Sequence, residues 1–447
     1  MSFDTDLVVK TIREYCGSST LWIAYSGGMD SHVLLHFLAT HRDQFPQKIQ
    51  VVHVDHQLQA QSANWAEHCQ KITESLQLPF HLLKVTVKDI NQSGMESAAR
   101  SARYQAINNL IGKDDLLLTG QHLQDQAETL MLQLLRGAGT RGLGAMKVIS
   151  RWQKMQIVRP FLAISREDLL DYAKLHQLQW IDDPSNQNTD IQRNFLRHQI
   201  WPLLQQRWPA INQNLARSAQ NLQESQTLLD ALAEEDLLAI DANPTQGSLE
   251  ISELLLLNAA RQRNVLRFFM TTLNMALPSR KNLQRILDEV CLAAADSQPQ
   301  VRWHHYIARR YQNKLYLSSE PESVSVTSPD LIYDQQPQIL DMERRLVWEA
   351  HKGQGISDEL FKAGLSIRFR QGGEKIQLPG KTHHQSLKKL FQEWQIPVWQ
   401  RDTIPLLFAD QQLVAIVGYV CAKTVKPQSD QTGWVPTIER ISQGDFD

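Results

Sequence analysis

Residues 21–38 run Leu21-Trp22-Ile23-Ala24-Tyr25, then Ser26-Gly27-Gly28-Met29-Asp30-Ser31, then an apolar, helix-like stretch from His32 to Leu38. A short apolar strand stops in a run offering two glycines, two hydroxyls and one carboxylate, and a helix starts at once. Gly27 and Gly28 can take backbone angles that a Cβ resists, so successive N–H groups can face one concavity. The helix that follows adds unpaired N–H groups and the positive end of its dipole, both favourable to phosphate. Asp30 would repel a bare phosphate, and a bridging Mg²⁺ resolves that conflict. An ordinary strand-turn-helix with Ser or Asp as N-cap satisfies the same pattern. Neither GxxxxGK[ST] nor GxGxxG is present in the run, so those two nucleotide sites are excluded for it.

Outward from this loop, continuous apolar runs alternate with helical patterns. Strands are expected at Ile49–Val54, Phe80–Val87 and Leu116–Thr119, and helices at Ser62–Leu76, Met95–Ile111 and Asp125–Leu135. The alternation predicts a doubly wound parallel sheet whose ligands sit beyond the carboxyl ends of the strands. The loop at 26–31 and His53-Val54-Asp55-His56 both fall there. So does Asp125 with Glu128, two carboxylates three apart at a helix start, which can complement the dipole or hold a metal or an ammonium group. Glu96, Arg100 and Arg103 share a helix face, free to pair internally or to meet phosphate. Arg193 and Arg197, at i and i+4, can contact phosphate or carboxylate in bidentate fashion.

At 447 residues the chain is too long for one core, and the class expected is multidomain α/β. The parts expected are a catalytic α/β domain over 1–207, an all-α unit over 208–317 with its leucines as core, a polar linker over 318–340, and a small C-terminal α+β domain over 341–447. No apolar stretch reaches the ~20 residues that span a bilayer, and the first residues do not read as a signal peptide, so no membrane is expected and the cytoplasm is the default. Cys16, Cys69, Cys291 and Cys421 are scattered without a CxxC pair, which argues against a disulfide framework or a cluster and for core thiols.

A net charge of −2 conceals strong local asymmetry. From Arg136 to Arg166 there are seven basic residues and no acid; from Phe361 to Arg401 there are eight basic and two acidic; Glu224 to Glu253 holds eight acids and no Lys or Arg. Solvated faces would account for this, and so would a polyanion contacted in more than one place. The glycine-rich, basic run Arg136 to Gly144 has the composition of a loop that closes on a charged substrate.

The run Ser26–Ser31 resembles the SGGxDS pyrophosphate loop of the N-type ATP pyrophosphatases, the PP-loop family. Over most of the chain, HVDH, GMESAARSARY, QHLQDQAET, RGAGTRGLGAM, RPFLAISR, DDPSNQNTDIQRNFLRHQIWP and GGEKIQLPGKTHHQSLKKLFQEWQIPVWQR follow in an order similar to the tRNA(Ile)-lysidine synthases. The sequence departs where that family reads HVDHGLR, with Gln57 and Gln59 in place of Gly and Arg. It departs again where the family reads HHxDD, with Gln121-His122-Leu123-Gln124-Asp125 here.

The resemblance implies a ligase that joins L-lysine to C2 of the wobble cytidine (position 34) of the CAU-anticodon tRNA(Ile) through an adenylated intermediate. It would release AMP and pyrophosphate and switch decoding from AUG to AUA. ATP with Mg²⁺ would sit on Ser26, Gly27, Gly28, Met29, Asp30, Ser31, His53 and Asp55, with Asp30 on the metal. Asp125 and Glu128 would orient or deprotonate the lysine amine or help bind the metal, and Arg193 would stabilise phosphate charge. Arg136, Arg141 and Arg197, together with Lys381, Lys388, Lys389 and Arg401 in the C-terminal domain, would contact the tRNA. A homodimer is left open. Rival readings are a tRNA thiolase on the same loop, for which cysteine pairs are lacking, a glutamine-dependent amidating synthetase, and a tRNA-binding protein with an inactive nucleotide fold.

Overall fold

The computed structural model describes residues 3–57, 61–86, 95–294, 297–320, 331–340 and 344–440. Gln59 and Gly94 lie outside these, and the side chain of Glu96 lies outside as well. The chain forms two compact units, Met1–Glu235 and Asp236–Asp447.

In the first unit, α1 (Thr5–Cys16) leads into β1 (Leu21–Ala24), α2 (Met29–Thr40), β2 (Ile49–Asp55), α3 (Ser62–Ser75), β3 (Phe80–Lys84), α4 (Met95–Leu110), β4 (Leu116–Leu118) and α5 (Leu123–Leu135). These follow the apolar runs read from the sequence. A short helix α6 (Thr140–Leu143), a hairpin β5 (Ile149–Trp152) and β6 (Met155–Val158), and α7 (Arg166–Leu175) follow. The six-stranded sheet has the order β3-β2-β1-β4-β6-β5, parallel except for β5, which runs antiparallel to β6 at the edge.

Side chains of alternate parity serve opposite faces, as a pleated strand requires. Leu21 and Ile23 pack with Val33, Leu34 and Phe37 of α2 and Phe161. Trp22 packs on the other face with Val52, Leu117 and Tyr104 and Ile107 of α4. Both faces are therefore covered, and the sheet is held in place by apolar burial on two sides. The chain winds from β1 outward to β3 and then returns to place β4 on the other side of β1. The reversal of strand order therefore falls between β1 and β4, which opens a crevice at their carboxyl ends.

Beyond α7 come α8 (Gln192–Phe195), a π turn at Leu196–Ile200, α9 (Trp201–Arg207) and α10 (Ile211–Ala239). Trp201 and Leu196 pack against Ala127 of α5 and Ile211 of α10, anchoring the segment that carries Arg193 and Arg197.

The second unit begins with helices in the region read as helical: α11 (Ile251–Leu256), α12 (Ala259–Thr272), α13 (Arg280–Arg285) and a π turn at Ile286–Cys291. The all-α reading lacked one feature of this region. Strands β7 (Ala242–Asn243), β8 (Ser248–Glu250), β9 (Gln300–Trp303), β10 (Tyr306–Tyr311) and β11 (Lys314–Ser319) form a five-stranded antiparallel sheet ordered β7-β8-β11-β10-β9. Val301, Ala308, Leu315 and Leu317 close a core with Leu266, Phe269 and Ile286. Leu228 and Leu238, read as core, are 73% and 84% exposed.

Part of the segment expected as a linker is also paired into sheets. β12 (Leu331–Ile332) joins β15 (Leu365–Arg368), and β13 (Gln338–Ile339) joins β14 (Arg344–Lys352). Among the described residues the C-terminal region is an α+β arrangement of three antiparallel sheets, of five, four and two strands, with helices that include Leu387–Glu393 and Val398–Arg401. Among the described residues no helix is long and apolar enough to cross a membrane, and all four cysteines are free.

Candidate active site

At the carboxyl end of β1 the chain turns through Tyr25 to Gly28 into α2. Gly27 has φ +88°, and a Cβ there would meet Ile181 Cδ1 at 2.7 Å and Cys69 Sγ at 3.0 Å, so both its conformation and its space require glycine. Gly28 is extended at φ −73° and needs no special freedom, unlike the expectation for the pair. The two serines shape the loop from within: Ser31 Oγ donates to the Gly28 carbonyl at 2.9 Å and accepts from the Ser26 N–H at 3.2 Å. Met29 is buried in the core under the loop. What α2 offers outward is its first-turn backbone, since no side chain caps it. Those amides are orphan donors beside a positive helix end.

Asp30 sits in that first turn. Its Oδ1 is buried and has no hydrogen-bond partner among the described residues, while Oδ2 lies 3.8 Å from His122 Nε2. Burial pushes its pKa up, with Asp125 adding to the effect, while His122, Arg166 and Arg197 pull the other way. His122 is the hinge of the arrangement. Its Nδ1 accepts the Gln124 N–H at 3.2 Å, so the proton is on Nε2, which lies 3.5 Å from Asp125 Oδ2 as well as near Asp30. Asp125 Oδ2 in turn accepts the His122 N–H at 3.2 Å, completing a capping box at the start of α5.

Neither His122 nor Gly120 was singled out from the sequence. A Cβ on Gly120 would stand 2.9 Å from the backbone carbonyl of Asp30, so the close approach of α2 to the end of β4 depends on it. The signal available for both was the QHLQDQAET resemblance; the packing partner of Gly120 is 90 residues away and leaves no local pattern.

Glu128 is fully buried. Its carboxylate is gripped by Arg197, with Nε to Oε1 at 2.7 Å and Nη2 to Oε2 at 2.8 Å, and Oε1 also accepts Gln124 Nε2 at 2.9 Å. Arg197 Nη2 reaches Asp125 Oδ1 at 3.0 Å as well. Arg197, expected to face tRNA, therefore points inward and spends its fork on the acidic pair. Glu128 is engaged on both oxygens, and Gln124, where the family's run has a carboxylate, donates to it. Asp125 is held below the ordinary carboxylate range: burial opposes its charge, but His122, Arg197 and Arg193 outweigh that. Arg193 donates from Nη2 to Thr129 Oγ1 at 2.9 Å, and its buried Nε has no hydrogen-bond partner among the described residues.

The end of β2 supports the loop rather than opening onto it. His53 is buried, its Nδ1 is 2.8 Å from the Tyr25 carbonyl, and burial lowers its pKa so that it is neutral. A neutral ring donates Nδ1–H to that oxygen, tying β2 to the loop. Asp55 accepts the Gln57 N–H at 2.8 Å, and Gln57 takes φ +54°, so the glycine-like turn forms without glycine.

Of the residues expected on tRNA, Lys381, Lys388 and Lys389 are exposed, with Lys389 3.7 Å from Glu393. Arg136 is exposed and donates to Gln192, and Arg141 pairs with Asp230 at 2.7 Å. Arg401 does not fit the expectation. It is 7% exposed and its guanidinium donates to the Ile396 carbonyl and to Tyr311 Oη, which makes it a tie inside the second unit and not a surface cation.

Comparison with known proteins matches three family models: a PP-loop domain over residues 5–204, a TilS substrate binding domain over 249–316 and a TilS substrate C-terminal domain over 365–440. The tRNA(Ile)-lysidine synthase of Coxiella burnetii is 39% identical over 435 residues, covering 97% of this chain and 96% of its own. That of Pectobacterium atrosepticum is 38% identical over 441 residues, covering 98% of each. The solved U34-tRNA thiolase NcsA of Methanococcus maripaludis overlays 49% of this chain and 78% of its own, with 17% identity and a TM-score of 0.40.

Proposed function

The chain belongs to the tRNA(Ile)-lysidine synthase family, ligases that form lysidine on tRNA(Ile) with ATP as substrate, and from that premise we propose how its residues divide the reaction. The cytosine C2 oxygen attacks the α-phosphorus of ATP and pyrophosphate leaves. The lysine ε-amine, having lost a proton, then attacks C2 and AMP departs with the oxygen. Activation is required because the C2 oxygen alone is a poor leaving group, and the amine's reference pKa of about 10.4 keeps it protonated in water. The product would be lysidine at the wobble position of the CAU anticodon, changing its reading from AUG to AUA. The cytoplasm, where tRNA is, is the compartment this reading implies.

The observation that carries this division is two buried polar atoms of opposite sign without a hydrogen bond among the described residues, Asp30 Oδ1 and Arg193 Nε, the latter with only a 3.9 Å ion-pair contact to Glu128 Oε2. A buried group without a partner costs roughly 1–3 kcal/mol, more when charged, so each is explained by a ligand that completes it. The first-turn amides of α2 would hold the pyrophosphate portion of ATP, and Arg193 would stabilise charge on the α-phosphoryl group. Mg²⁺ fits Asp30: a hard cation takes carboxylate oxygen, and one protein carboxylate with phosphate oxygens and water is a usual set for it. Held there, it would neutralise phosphate charge.

Three carboxyl groups, Asp30, Asp125 and Glu128, are met by three guanidinium groups, Arg166, Arg193 and Arg197. We assign the orientation of the lysine amine to Asp125, with Glu128 acting through Arg197, which it positions. His122 Nε2 stands between Asp30 and Asp125, 3.8 and 3.5 Å from their Oδ2 atoms, and keeps the two carboxylates from closing on each other. Within this scheme, residues 1–207 are the catalytic part, and 208–317 and 341–447 grip the tRNA. Exposed Lys381, Lys388 and Lys389 would add affinity remote from the chemistry.

The test is to incubate the full chain with tRNA(Ile), ATP and radiolabelled lysine, and to follow ATP–pyrophosphate exchange with tRNA present. Label is expected in the RNA, and Asp30→Ala is expected to lose exchange by at least about a hundredfold. Full exchange by Asp30→Ala would sink its assignment, and RNA without lysyl label would sink the reaction.

A further inference from the structure

On the α4 side of the sheet, away from the glycine loop, a cavity of about 220 Å³ opens between α4 and the β5–β6 hairpin. It is lined by Arg100, Arg151 and Arg159, together with Ser101, Ser150 and Tyr104, and no acidic residue lines it. Among the described residues none of the three arginines has a carboxylate partner. Arg159 is only 5% exposed; its Nη1 is fixed by the Lys147 carbonyl at 2.8 Å and Ser150 Oγ at 2.9 Å, yet its Nε is buried without a hydrogen-bond partner. The Arg100 guanidinium lies over the Tyr104 ring at 4.9 Å, which orients it.

We propose that this cavity is a second phosphate site, separate from the nucleotide loop, which takes a backbone phosphodiester of the RNA substrate. Convergence of three guanidinium groups with no acid among the described residues that line the cavity is unfavourable in isolation, because like charges repel and burial strips their water. Burial and the charge of Arg100 weaken protonation of Arg159, while Tyr104 supports it. An anion reverses both costs. Guanidinium forks and serine hydroxyls match phosphate oxygens, and the aromatic ring provides a wall for the adjoining sugar. The cavity is smaller than the ~300 Å³ at which pockets begin to enclose a drug-sized molecule, which suits a phosphodiester better than a whole nucleotide.

Its position supports the same ligand. Arg159 is the first residue after β6, and β6 neighbours β4, whose carboxyl end borders the glycine loop. Arg159 thus lies toward the rim of the sheet where ligands collect, while Arg151, opposite Gln156, sits nearer the amino end of β6. Arg151 and Arg159 also belong to the acid-free stretch 136–166. An ordinary role as a hairpin tie explains Arg159 Nη1 but leaves Arg100 and Arg151 without a reason to face the same cavity. The inference rests on the reading above only in taking RNA as the substrate.

Arg100 and Arg151 are exposed, so replacing them spares the core, whereas Arg159 is left alone. Full-length Arg100→Gln/Arg151→Gln and wild type would be compared in binding unmodified tRNA(Ile) transcript over a salt series, with thermal melting as a check on folding. Expected is a dissociation constant about tenfold higher, and a salt slope smaller by about one, as for loss of one phosphate contact. Arg151→Lys, which keeps charge but loses the fork, should fall between.

Unchanged affinity and slope would overturn the proposal. So would a raised KM for ATP with unchanged RNA affinity, which would give the cavity to the nucleotide, and so would inorganic phosphate binding that the double variant leaves intact. Failure of wild type to form lysidine would strike the proposed reaction and leave this binding measurement standing.

Discussion

Replacing Gly120 by alanine tests whether contact between the end of β4 and the first turn of α2 sets the reactive geometry. The added Cβ would lie 2.9 Å from both the carbonyl carbon and oxygen of Asp30 and 3.1 Å from the Ser31 nitrogen. Real Cβ contacts sit at 3.4 Å and beyond, so backbone on one side must yield by about half an ångström. Neither side gives easily: β4 pairs with β1 and β6, and α2 is buried along nearly all its length. Overpacking of this kind costs about 1–3 kcal/mol of stability. The larger consequence is for Asp30 and the amides that follow it, since misplacement by about 1 Å can cost on the order of a hundredfold in rate.

The assay is lysidine formation at saturating tRNA and ATP, with kcat separated from KM, beside a thermal melt. A tenfold to hundredfold drop in kcat in a protein that still melts cooperatively is expected. A variant within about threefold of wild type would show that the approach of α2 to β4 does not govern the chemistry.

Glu128→Gln removes half of a buried fork and leaves Arg197 with less than its full complement; a loss of about 3–5 kcal/mol is expected by chemical denaturation, with activity falling too. Glu128→Asp should recover part of the activity if the carboxylate acts by holding Arg197. Lys388→Glu with Lys389→Glu should raise the tRNA dissociation constant and flatten its salt dependence while leaving kcat at saturating tRNA unchanged, as filter binding and turnover would reveal. His32 is buried, and its pKa is lowered from 6.5 to about 4 chiefly by burial, with His68 and His36 adding to it. Between those values the unfolded chain binds the proton that the folded chain refuses, so stability falls as pH is lowered from 6.5 toward 4, by roughly 3 kcal/mol in full. His32→Gln should remove part of that slope in denaturation measured at pH 7 and pH 5.

The catalytic sheet was legible because its inner strands are buried on both faces and read as unbroken apolar runs, as at Leu21–Ala24 and Leu116–Leu118. The hairpin Ile149–Val158 escaped because Arg151, Gln153 and Lys154 interrupt it at an edge where one side meets water. The strands over Gln300–Ser319 escaped because their period-two signal is carried by few residues, such as Val301 and Trp303, between arginines and histidines. In the site, the residues themselves were visible but their pairings were not. Whether Arg197 faces RNA or Glu128 depends on how two helices 69 residues apart are packed, and nothing local encodes it. Arg401 shows the converse: a basic residue in a basic region, buried because two acceptors happen to lie within its reach.

The fit between Ile181 and Gly27 has a consequence for the order in which the enzyme becomes competent. The Ile181 N–H donates to the Gly27 carbonyl at 2.9 Å, and its side chain fills the space a Cβ would need. The segment that braces the glycine turn emerges 154 residues after it in synthesis, close to Arg193. A ribosome-bound chain therefore carries an unbraced glycine turn through most of the first unit's translation, and the turn and the Arg193 segment mature together.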